Sequence, residues 1–90
     1  MIITRTERKT LEERMFSKSD ISEIEYAAKK TVYYKEENGK RIPLSREEAI
    51  NVLGRENWIA GLCRSAFHIV ATRYAADGTA VRFDSHALCN

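Results

Sequence analysis

The hydrophobic and polar positions of this chain follow two alternating periods, and the switches between them mark six elements. Thr4-Arg5-Thr6-Glu7 and Thr10-Leu11-Glu12-Glu13 both have the form of a capping box, which predicts a short helix within residues 5–16. Its apolar content is only Leu11, Met15 and Phe16, so packing rather than an amphipathic stripe would have to hold it. Ser19 and Asp20 are suited to cap the next helix. Ile21, Ile24, Ala27 and Ala28 follow at helical spacing, and Lys29-Lys30 complement the dipole at its end, which predicts a helix over about 20–30.

At Thr31-Val32-Tyr33-Tyr34 the pattern changes to β-favouring residues. Asn38-Gly39 is a two-residue hairpin turn by composition, because both turn positions want positive φ. That turn pairs Glu37 with Lys40, Glu36 with Arg41 and Tyr33 with Leu44, and puts Tyr33, Ile42 and Leu44 on one buried face. The segment Leu44-Ser45-Arg46-Glu47-Glu48-Ala49 then starts a helix. Ser45 is its N-cap, Glu48 the capping-box partner, Leu44 with Ala49 the staple, and Gly54 the closing residue.

A longer helix is predicted over about 55–68, with Trp58, Ile59, Leu62, Cys63, Ala66 and Phe67 as its core stripe. Asn57, Ala60, Gly61, Arg64, Ser65 and His68 make the opposite face. Gly61 inside a helix costs about 1 kcal/mol relative to alanine, which implies close approach by another backbone. Ile69 to Phe83 has the form of a second hairpin. With Asp77-Gly78 as a two-residue turn, Tyr74 falls opposite Val81, Arg73 opposite Arg82 and Thr72 opposite Phe83. Val70, Thr72, Tyr74, Val81 and Phe83 would then form the apolar face, and Ser85 to Asn90 a loosely held tail.

The order of helix, helix, hairpin, helix, helix, hairpin predicts a two-layer α+β domain. Its antiparallel sheet comes from two β-hairpins, about 31–44 and 69–84, covered by three or four short helices. Residues 1–90 suffice for one modest core and make a single domain.

Charge narrows the candidate partners. The net charge is +2, and the 15 basic and 13 acidic residues are interleaved without a basic arm or an acidic tail. That balance argues against a dedicated nucleic-acid binder, whose footprint is a clear basic excess. No apolar h-region follows Met1-Ile2-Ile3-Thr4-Arg5, no apolar run approaches the ~18 residues of a membrane span, and two cysteines do not make a disulfide framework. A cytoplasmic protein without membrane association is expected.

Candidate chemistry is sparse. Cys63, His68, His86 and Cys89 are zinc-ligand types, but a separation of five on a helix turns Cys63 and His68 about 140° apart. Cys63 as a nucleophile would need a base and an electropositive setting, whereas its neighbours are apolar, and Cys89 sits one residue from the end. Gly39, Gly54, Gly61 and Gly78 are isolated and form no phosphate loop. Glu12-Glu13, Glu36-Glu37 and Glu47-Glu48 fall at helix starts or a hairpin tip, where solvation explains them. The expectation is a non-enzymatic protein with neither metal nor cofactor.

Two binding features stand out. Residues 45–67 form two helices joined at Gly54, which resembles a helix-turn-helix of the excisionase kind, although Arg55-Glu56-Asn57 follows where that motif wants a hydrophobic residue. The resemblance implies a small DNA-binding protein as the alternative function. The other feature is the pair Arg73 and Arg82. Opposite each other on the polar hairpin face, they would repel unless an acidic partner used them, with Arg64 contributing from the long helix. The function expected first is therefore a protein-binding module, a stand-alone regulator or inhibitor of an intracellular partner with an acidic surface. Phage and mobile-element anti-defence proteins, anti-CRISPR-like ones among them, share this size and style.

Overall fold

The computed structural model describes residues 3–68 and 70–85. The expectations for Ile69, His86 and Cys89, and for the tail beyond Ser85, fall on residues outside these. Ser85 itself corrects the expected start of the loose tail, since it is buried and its hydroxyl donates to the Ser65 carbonyl at 2.9 Å. In chain order the elements are α1 (Arg5–Glu13), α2 (Lys18–Lys30), β1 (Val32–Glu37), β2 (Lys40–Leu44), α3 (Arg46–Leu53), α4 (Arg55–His68), β3 (Val70–Tyr74) and β4 (Ala80–Asp84). The four strands make one antiparallel sheet in the order β2-β1-β4-β3. The expected α+β class is the observed one.

Local chemistry starts three of the helices. Thr4 with Glu7, Ser17 with Asp20 and Ser45 with Glu48 each close a full capping box. The second of these corrects the expected start, since Ser17 rather than Ser19 caps α2 and Asp20 is its partner at the third helical position. Helix α1 ends in a Schellman arrangement. Phe16 N–H donates to the Leu11 carbonyl at 3.2 Å and Met15 N–H to that of Glu12 at 3.1 Å. Met15 holds the left-handed position at φ 70°, where glycine is the usual choice.

The first hairpin has the expected register, with Glu37 opposite Lys40 and Tyr33 opposite Leu44, and both Asn38 and Gly39 have positive φ. The second does not. Arg73 lies opposite Val81, Thr72 opposite Arg82 and Ala71 opposite Phe83, one residue away from the two-residue-turn register. Gly78 N–H donates to the Ala75 carbonyl and Ala75 N–H to that of Thr79, both at 2.9 Å, so Ala76, Asp77 and Gly78 form a three-residue loop. Only Gly78 takes the left-handed conformation, and the Asp77 carboxylate accepts from Thr79 N–H at 2.9 Å.

That single-residue slip turns over all of β3. Ala71 is buried, whereas Val70 and Tyr74 are exposed on the far side of the sheet, and Arg73 and Arg82 lie on opposite faces. Small size decides the matter, because α4 packs directly along β3. Gly61 and Ser65 of α4 are buried, and the ring of Phe83 fills the space beside Gly61. This corrects the expected stripe. Gly61 and Ser65 face inward and Phe67 outward, and what approaches Gly61 is a side chain rather than a backbone.

One core joins the layers. Trp58 Nε1 donates to the Tyr33 hydroxyl at 3.1 Å, and Tyr33 meets Phe83 edge-on at 5.2 Å. Ile3, Leu11, Ile21, Ile24 and Leu62 are fully buried in the same cluster. Helix α4 is the hub, packed against α2, α3, β3 and β4. Among the described residues, no helix is long and apolar enough to cross a membrane.

Candidate functional site

The corner where α3 turns into α4 is built on one residue. Gly54 has φ 84° and ψ 153°, a conformation essentially reserved for glycine. There its N–H closes α3 on the Ile50 carbonyl at 2.7 Å, and its own carbonyl receives Trp58 N–H at 3.0 Å to open α4. The start of α4 is thereby brought beside the end of α1 and the end of β3. An open cleft of about 660 Å³ lies at this junction, lined by Arg14, Leu53, Gly54, Arg55, Glu56, Asn57, Ala60 and Arg73.

Each arginine of the cleft is held differently. Arg55 Nη2 donates to Glu7 Oε1 at 3.1 Å, its Nε lies 2.5 Å from Oε2 in the same ion pair, and its guanidinium lies 5.1 Å from the Trp58 ring. Burial alone would raise the pKa of Glu7. The hydrogen bonds from Arg55 and Thr4 outweigh it and hold the carboxylate below its ordinary range. Arg73 Nε donates to Asn57 Oδ1 at 2.6 Å, and Asn57 Nδ2 donates to the Tyr74 carbonyl at 2.9 Å. Asn57 thus fixes Arg73 and also closes off a carbonyl at the sheet edge. Among the described residues, neither Arg14 nor Arg73 has a carboxylate within ion-pair distance.

A second, narrower recess of about 280 Å³ adjoins the cleft and shares Arg14, Arg55 and Glu56 with it. Leu11 and Ile59 give it an apolar floor. Beside Arg14, Met15 is 91% exposed. Arg14, which lines the cleft and has no ion pair among the described residues, is therefore followed in the chain by a projecting apolar side chain.

The expected binding residues are divided by this geometry. Arg73 belongs to the cleft. Arg64 is exposed on α4, on the strip that continues from Asn57 and Ala60 at helical spacing. Arg82 lies on the other side of the sheet, 4.0 Å from Glu36, so the repulsion argued from an Arg73–Arg82 pair does not exist. Arg14, Met15, Arg55 and Asn57 were not legible as a group. Their one sequence signal is a methionine at the position after a helix where glycine is usual.

The other candidates gain little. Cys63 is half-buried, and burial pushes its thiol up, away from a reactive thiolate. Among the described residues, no cluster of His, Cys, Asp and Glu could hold a metal ion. Trp58, Ile59, Gly61, Leu62 and Ser65 of α4 are buried, which leaves the exposed Glu56, Arg64, Phe67 and His68, with the half-buried Asn57 and Ala60, as the surface a DNA groove would have to accept. Compared with protein-family models, curated proteins and solved structures, the chain matches none.

Proposed function

We propose that this chain is a non-enzymatic protein-binding module, a regulator or inhibitor that docks on the acidic surface of a partner protein through the arginine cleft. The observation that carries the reading is Arg14, which lines the cleft, with Met15 next to it in the chain. Met15 holds a left-handed backbone at φ 70° while fully projecting into solvent. A residue with a β-carbon costs about 1–2 kcal/mol there, so stability favours glycine. An exposed apolar side chain kept at that cost, beside a guanidinium with no carboxylate in ion-pair distance among the described residues, has the make-up of an interface anchor. Methionine and arginine are both enriched at protein interfaces. Arg73, preset by Asn57, adds a second fork suited to a carboxylate.

The test separates binding from folding. Met15→Gly keeps or raises the melting temperature and weakens capture of the partner from native cell extract. Arg14→Ala with Arg73→Ala abolishes that capture, and the captured wild-type partner has an acidic surface and associates more slowly as salt rises. Equal capture by wild type and the double variant would remove the cleft from the function. A gel shift of duplex DNA that weakens with Arg64→Ala would favour the helix-turn-helix alternative instead.

A further inference from the structure

The face of the sheet turned away from the helices carries a different chemistry. The registers align Pro43, Tyr34, Arg82 and Thr72 in one row across the four strands, with Arg82 directly opposite Tyr34 on the two central strands. Arg41 stacks over the Tyr34 ring at 4.9 Å, and Glu36 lies 4.0 Å from Arg82. Tyr74 is 66% and Val70 40% exposed on the same face. The exposed Tyr74, Arg41 and Arg82 are of the residue types enriched at interfaces.

We propose that this face pairs with a second copy of the chain. Charge complementarity selects that occupant. The face carries two arginines, Arg41 and Arg82, and two carboxylates, Glu36 and Asp84, so it has no net charge to attract a nucleic acid or a strongly acidic protein. It is instead complementary to itself. A two-fold axis along the strands, between β1 and β4, lays β1 of one copy over β4 of the other. Tyr34 is itself buried beneath Arg41, so the contact falls to the exposed charges. Because Tyr34 and Arg82 are level, each copy's Arg82 comes over β1 of its partner copy and reaches that copy's Glu36. Four strands about 4.8 Å apart and some five residues at about 3.4 Å each make a small patch. The dimer is accordingly of the weak, reversible kind, with affinity in the micromolar range.

Sedimentation velocity from low to high micromolar concentration tests this without reference to the cleft. Wild type should shift from monomer to dimer as concentration rises. Arg82→Glu and Glu36→Arg should each raise the dissociation constant at least about tenfold by placing like charges across the two-fold. Mixing these two variants should restore a heterodimer, since both cross-copy contacts are then again between opposite charges. Arg14→Ala should leave dimerisation unchanged, so failure of the cleft reading and failure of this one are distinguishable. A wild type that stays monomeric throughout would overturn the inference. So would Arg82→Glu dimerising like wild type, or a mixture of the two variants that forms no heterodimer.

Discussion

The ring of Phe83 occupies the place of the β-carbon that Gly61 lacks. Three of its ring atoms lie inside the contact distance of any side chain added there. The contact locks α4 onto β4 and sets how closely helix and sheet approach. Gly61→Ala gains about 1 kcal/mol of helix propensity, yet overpacking costs about 1–3 kcal/mol. Net destabilisation is expected in denaturant unfolding. In a double-mutant cycle with Phe83→Leu, the combined loss should be smaller than the sum of the single losses.

Leu62 and Phe67 separate the inner and outer faces of α4. Leu62 is fully buried and Phe67 is 47% exposed. Leu62→Ala should cost about 2–5 kcal/mol, whereas Phe67→Ala should stay within about 1 kcal/mol. Equal losses in chemical denaturation would place Phe67 back in the core.

Met15→Gly relieves the left-handed strain at the end of α1. The gain is limited to about 1 kcal/mol because glycine also loosens the unfolded chain. A raised midpoint in urea, with an unchanged slope, is the expected result.

Acid should weaken the Glu7–Arg55 clasp. The Glu7 carboxylate is held below its ordinary value in the folded chain, so it binds protons less readily than in the unfolded chain. Its contribution is therefore complete above the unfolded carboxylate pKa and is lost as pH falls through the lower folded value. Glu7→Gln should lower stability at neutral pH and flatten the decline on acidification. Glu48 is likewise depressed, by its bonds to the Ser45 backbone and side chain, so some decline remains. Melting temperatures measured between neutral pH and about pH 3 read both effects, that range lying across the ordinary carboxylate pKa.

Ser45→Ala should cost about 1 kcal/mol, through loss of its bond from Glu48 N–H at 3.1 Å. The same substitution at Ser19, exposed and outside the Ser17–Asp20 cap, should be near neutral. A thermal melt of each variant compares the two.

What the sequence determined by itself was the set of choices made over three or four residues. Ser45 and Glu48 satisfy each other's backbone whatever lies beyond them, and Asn38-Gly39 accepts positive φ at both positions, so the first register followed from composition. Asp77-Gly78 carries nearly the same signal, but the dipeptide is compatible with two loops that differ by one residue. Tertiary packing chose between them. With α4 lying along β3, Ala71 fits beneath the helix while the larger Val70 and Tyr74 are turned outward. The same close contact buried Gly61 and Ser65, which a hydrophobic pattern cannot mark because they are inside for their size rather than their polarity. The arginine cleft was hidden for a related reason. Arg14, Arg55 and Arg73 come from three separate segments, and only the turn at Gly54 and the flipped face of β3 bring them to one junction.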